Sequence, residues 1–201
     1  MWLKGKNNRL CNMGCGVVAL VDFCIYEGLI PKPKDRDEYC DRINEYASKY
    51  IPIIPGLGIA PYIYPFFVNR FFRKNGYPYR IKGITFIGKT DRLIRMLEDD
   101  IPVIFAAGAT YPIVFRKKGV MLYSPSDEGP SLITASGQRA RSHYMTLTGI
   151  EKLRTKDEKI GSDYLRVYSW GREYYISPRE YSEFSRYTFP ATNMFYVIKR
   201  L

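Results

Sequence analysis

The chain has 201 residues, 46% of them hydrophobic and 25% charged. That length and balance indicate one folded domain, residues 1–201, with room for a sizeable core, and exclude a disordered or fibrous chain. The net charge is +11, yet the basic residues fall in short clusters, Arg73-Lys74, Arg116-Lys117-Lys118 and Arg139 with Arg141. With no nucleic-acid motif beside them they read as a solvated basic surface, so nucleic acid is not an expected partner.

No stretch approaches the roughly 18 uninterrupted apolar residues of a membrane span, so no membrane partner is expected. Met1–Asn8 has no apolar h-region, so no secretory leader is expected either.

In chain order, residues 15–27 form an apolar run at helical spacing, closed by Gly28 and barred from continuing by Pro31 and Pro33. Residues 35–50 predict an amphipathic helix with Tyr39, Ile43, Tyr46 and Ala47 on one face and Asp35 and Asp37 at its start. An irregular linker over 51–58 leads to an aromatic-rich helix over 61–74, which stops near Gly76-Tyr77-Pro78. Residues 79–87 read as extended, and Thr90 to Asp99 as a short helix. Ile101–Ala107 reads as a central strand with its proline at the entry.

Val114–Tyr123 is expected to be a hairpin turning at Lys118-Gly119. The polar stretch 124–141 is expected to be a long loop, a candidate lid or substrate wall. Strands follow over 143–152, 164–168 and 173–176, then a short helix capped by Ser177 and a last strand over 194–198. Helices come first and strands later, which predicts an α+β fold: N-terminal helices packed on a mostly antiparallel sheet.

The chemistry-bearing residues are few. Cys15 stands between Gly14 and Gly16, where the first apolar helix begins. A thiol in a helix's first turn faces unpaired N–H groups and the positive end of the dipole, which predicts a lowered pKa and a nucleophilic thiolate. His143, the one histidine, opens a predicted strand far downstream. Taken singly, each also fits a plain structural residue; together they are the minimum for a Cys–His nucleophilic site. Arg139 and Arg141, just before His143, suit an acidic substrate.

The four cysteines, Cys11, Cys15, Cys24 and Cys40, all lie in the first fifth of the chain. Cys24 falls within the apolar helix and reads as core. Cys11 and Cys15 have zinc half-site spacing but no second pair, so neither a metal nor another cofactor is expected. The thiols read as reduced and the compartment as cytoplasmic.

Four segments in order carry a family resemblance. They are Cys15-Gly16-Val17-Val18-Ala19-Leu20, the stretch Leu93–Ile104 with its Pro102-Val103 strand entry, His143–Ile150, and Leu165–Ile176 with its Ser169-Trp170-Gly171 turn. From residue 8 to about 185 the chain resembles the papain-like cysteine peptidases, nearest their bacterial C39-like branch. The resemblance implies a papain-like fold and a peptide or amide substrate. It makes Cys15 the nucleophile and His143 the base, with Trp170 packed beside His143.

Where the family places Asn or Asp to orient the histidine, this chain has Tyr168-Ser169. Side chains alternate along a strand, so one of the two faces His143; the short hydroxyl of Ser169 is the better acceptor, expected at Nδ1–H. For the family's oxyanion glutamine the nearest residues are Arg9 and Asn8, which makes Asn8 the candidate donor and Asn12 the fallback. Two other readings stay open: a weakened papain-like domain that binds peptides, and a basic nucleic-acid-binding protein.

Overall fold

The computed structural model describes residues 14–53, 58–85, 95–108, 119–169, 172–185 and 194–200. The fold is α+β. Helices α1 (Cys15–Tyr26), α2 (Arg36–Lys49) and α3 (Tyr64–Lys74) precede all the strands, and α4 (Pro178–Ser185) comes late. The strands are β1 (Tyr79–Thr85), β2 (Val103–Ala107), β3 (Val120–Pro125), β4 (Ile133–Ala140), β5 (His143–Leu153), β6 (Ser162–Ser169), β7 (Arg172–Ile176) and β8 (Met194–Arg200). They form one eight-stranded sheet in the order β1-β8-β2-β5-β6-β7-β3-β4. Each neighbouring pair is antiparallel.

Helix α1 is buried because its residues are apolar nearly all round: Val17, Leu20, Val21, Phe23 and Cys24 are at most 1% exposed. Gly28 ends it at φ +65°, where a side chain would be strained. The Leu29 N–H then closes the turn on the Cys24 carbonyl at 2.9 Å. Helix α2 begins at Asp35, whose carboxylate accepts from the Glu38 N–H at 2.9 Å, the cap its sequence indicates. Helix α1 lies against β5, where the Thr146 hydroxyl donates to the Ala19 carbonyl.

Strand β2 is buried along its whole length, as a central strand is when both faces are covered. Its backbone pairs with β5 from Val103↔Leu147 to Ala107↔His143. At the far side the sheet curls until the start of β4 meets the end of β5, through a Leu132–Arg154 bridge. There the Ile133 N–H donates to the Arg154 carbonyl and the Arg154 N–H to the Ser131 carbonyl, each at 3.0 Å.

Two expectations change. The stretch 124–141 is not a long loop: Ile133–Ala140 is strand β4, paired with β3 at the sheet's edge. Its side chains are mostly exposed, so backbone pairing rather than an apolar pattern holds it, and no lid forms from these residues. Val120–Pro125 is strand β3, placed between β7 and β4, while Val114–Lys118, the other arm of the expected hairpin, lies outside the described residues. Among the described residues, no helix is long and apolar enough to cross a membrane.

Candidate active site

The α1 N-terminus and the start of β5 meet behind a cluster of tyrosines. The Tyr64 hydroxyl donates to the Gly16 carbonyl at 2.7 Å, Tyr144 to the Ile59 carbonyl at 3.1 Å and Tyr196 to the Pro61 carbonyl at 2.8 Å. Their rings pack on one another, with Tyr64 centroids 4.9 Å from Tyr144 and 5.0 Å from Tyr196. The first turn of α1 is thereby tied to α3, and residues 59–61, just before α3, are tied to β5 and β8. Gly16 is required at this junction: a Cβ there would stand 2.7 Å from Ile59 Cγ2. The sequence hints at this cluster only through its 18 tyrosines.

Cys15 is the first residue of α1, and its cap residue Gly14 offers no side chain to the helix's free amides. Backbone N–H groups of Tyr144, Gly16 and Cys15 itself reach the thiol and favour its charged form. The expected lowered thiol pKa is nonetheless overturned. Burial is the larger influence and pushes the Cys15 thiol up, because the sulfur gives up more hydration than those amides return.

The residue next to Tyr144 is His143. Its Nε2 lies 2.5 Å from the Ser169 hydroxyl. The β5–β6 register explains why Ser169 and not Tyr168 meets the ring. Tyr168 stands opposite Thr146, so Ser169 falls on the other face of β6. Tyr168 instead donates to the Glu173 carboxylate at 2.8 Å. The expected nitrogen is corrected: the contact is at Nε2, not Nδ1, since Ser169 meets the tip of the imidazole.

Burial holds His143 down to about 4, so the imidazole is neutral at physiological pH. The backbone just before it is strained. Ser142 has φ +51°, a left-handed conformation that a non-glycine residue adopts at some cost, and its N–H donates to the Gly108 carbonyl at 3.3 Å.

The structure thus brings His143 and Ser169 together and puts the Cys15 thiol against the adjoining peptide. Asn8, Arg9, Cys11, Asn12, Trp170 and Gly171 lie outside the described residues. Of the basic pair before His143, Arg139 donates to the Gly119 carbonyl at 2.9 Å and Arg141 is exposed. Cys15, Cys24 and Cys40 are free thiols. Among the described residues, no group of three or more His, Cys, Asp or Glu side chains could hold a metal ion.

One further acid, half-buried in the fold, was not singled out in the sequence. Asp22, on α1, accepts a hydrogen bond from Tyr39 at 2.5 Å, and burial raises its carboxyl to about 6. In comparisons with family models, with curated proteins and with solved structures, nothing matches this chain.

Proposed function

We propose that the protein is a cysteine peptidase or amidase-type acyl-transfer enzyme of papain-like fold, with Cys15 as nucleophile and His143 as base. The observation that carries this reading is the placement of three residue types. A cysteine opens a buried helix, its thiol rests on the amide beside the histidine, and that histidine is held at Nε2 by a buried hydroxyl 2.5 Å away.

In the tautomer that donates Nε2–H to Ser169, the lone pair for catalysis is on Nδ1. Both reacting groups rest neutral, so this is general-base catalysis rather than attack by a preformed ion pair. The thiol proton passes to Nδ1 as sulfur bonds to the substrate's acyl carbon. Backbone N–H groups at the α1 start, with the Asn8 amide as a further candidate, stabilise the oxyanion. The C–N bond then breaks, and the imidazolium gives its proton to the leaving amine. Water attacks the thioester, returning the thiol and releasing the acid. A reducing, cytoplasmic compartment suits an unpaired nucleophilic thiol.

A slower variant of this reading, a papain-like domain that chiefly binds peptides, is favoured by one feature: Ser169 is a neutral hydroxyl and stabilises the imidazolium less than a carboxylate. One experiment tests both. A mixture of blocked peptides is incubated with the protein and new N-termini are sequenced by mass spectrometry. Cleavage that is lost in Cys15→Ala and in His143→Gln supports the enzyme. Peptide binding without cleavage supports the second reading, and cleavage that survives in Cys15→Ala overturns the first.

A further inference from the structure

Helix α3 packs against β1, which stands at one end of the strand order. Among the described residues, β1 pairs on one side only, with β8. Successive residues of an antiparallel strand aim their backbone N–H and carbonyl groups to alternate sides. Ile81 lies opposite Ile198, yet both its backbone groups are taken by one side chain from α3. The Asn69 carboxamide donates to the Ile81 carbonyl and accepts from the Ile81 N–H, each at 2.9 Å. A residue of an adjoining antiparallel strand would make the same two bonds. Ile81, and with it Tyr79 and Gly83, therefore faces away from β8. The Tyr79 N–H is occupied too, by the Tyr77 carbonyl at 2.8 Å.

Arg80 and Lys82 alternate with these residues and are exposed. Among the described residues, neither forms a salt bridge. If two copies paired antiparallel through this edge, the outward-facing residues of one would have to meet those of the other. Centred on Arg80, Ile81 or Lys82, each such register sets cation against cation. The facing pairs are Arg80 with Arg80, Arg80 with Lys82, or Lys82 with Lys82. Like charges directly opposite destabilise a strand pair, and charged side chains on an edge discourage strand addition.

We propose that Asn69 takes the place of an adjoining strand and keeps two copies of the chain from pairing through β1, with Arg80 and Lys82 as a second barrier. The partner kept out is a second copy, because the charge clash is one that β1 makes with itself. The inference is independent of the chemistry proposed for Cys15.

The test follows mass by sedimentation velocity and backbone protection by hydrogen exchange, on the full chain. Asn69→Ala is compared with the unsubstituted protein, with Arg80→Thr and Lys82→Thr together, and with all three substitutions. The unsubstituted protein stays monomeric as salt rises, and so does the double variant, whose carboxamide clamp is intact. In Asn69→Ala the Ile81 amide of the monomer exchanges at least roughly tenfold faster, and dimers form as salt screens the cations. With all three substitutions dimers form at low salt as well, and the β1 amides regain protection as they do. Asn69→Ser is the milder change to use where Asn69→Ala does not fold.

A triple variant that stays monomeric at every salt concentration, dimers whose β1 amides stay unprotected, or dimers formed through β1 with Asn69 in place overturn the proposal. So does a lowered melting temperature with no change in mass, or failure of both Asn69 variants to fold, since Asn69 would then only fasten α3 to β1.

Discussion

The pH dependence of stability tests whether His143 is buried as a neutral base. The pKa of His143 is lowered from 6.5 to about 4 by burial. Between those values the unfolded chain binds the extra proton, so the histidine makes stability rise with pH across that window. At about 1.36 kcal/mol per pH unit, the rise from pH 3.5 to 7 is about 3 kcal/mol.

Asp22 acts the other way. Its pKa is raised from 3.8 to about 6, so the folded state binds the extra proton and stability falls as pH climbs through that range, again by about 3 kcal/mol. In the unsubstituted protein the two contributions nearly cancel. Asp22→Asn, which keeps the hydrogen bond from Tyr39, leaves the histidine unopposed: between pH 3.5 and 7 it gains about 3 kcal/mol more than the unsubstituted protein. His143→Gln loses about the same amount by the same comparison. Urea unfolding at half-unit pH steps, followed by tyrosine fluorescence and circular dichroism, measures this, and other carboxylates drop out of the differences. Three parallel stability curves would refute the reasoning, since neither group would then be titrating abnormally.

Three further outcomes are expected. Ser169→Ala lowers turnover of a cleaved peptide about tenfold by freeing the imidazole, while Ser169→Asn or Ser169→Asp raises it if a melting curve shows the site still folded; stable variants with unchanged turnover would mean that another residue orients His143. Iodoacetamide labelling of Cys15, mapped by peptide mass spectrometry, climbs steadily into alkaline pH and outpaces the buried Cys24; a labelling plateau at mildly acidic pH would reveal a thiolate–imidazolium pair instead. Gly16→Ala costs about 1–3 kcal/mol by overpacking against Ile59, and Ile59→Ala in the same chain recovers part of that loss in the melting temperature.

Much of the frame was legible because it rests on local pattern. The apolar run after Cys15 reads as α1, Asp35 as its neighbour's cap, and the run from His143 as β5, because burial forces each pattern into the sequence. Ser169 was legible by parity alone, since a strand sends only one of two adjacent side chains to a given face. Strand β4 was not legible. Between its buried ends, Ile133 and Ala140, its side chains are mostly exposed and show no alternating apolar pattern, and the backbone partner that makes them a strand is β3.

The protonation states were not legible either. A helix start argues for a thiolate at Cys15, but the enclosure that reverses this comes from the whole fold. The ring nitrogen that meets Ser169 depends on how the imidazole is presented, which spacing does not encode.

The central claim is that Cys15 accepts an acyl group with His143 as its base. Intact-protein mass spectrometry after brief exposure to a peptidyl p-nitrophenyl ester measures this directly. The account predicts one acyl adduct, mapped to Cys15, formed at least roughly tenfold more slowly in His143→Gln and absent in Cys15→Ala. Acylation at the same rate in His143→Gln, or an adduct on another residue in the unsubstituted protein, would contradict it.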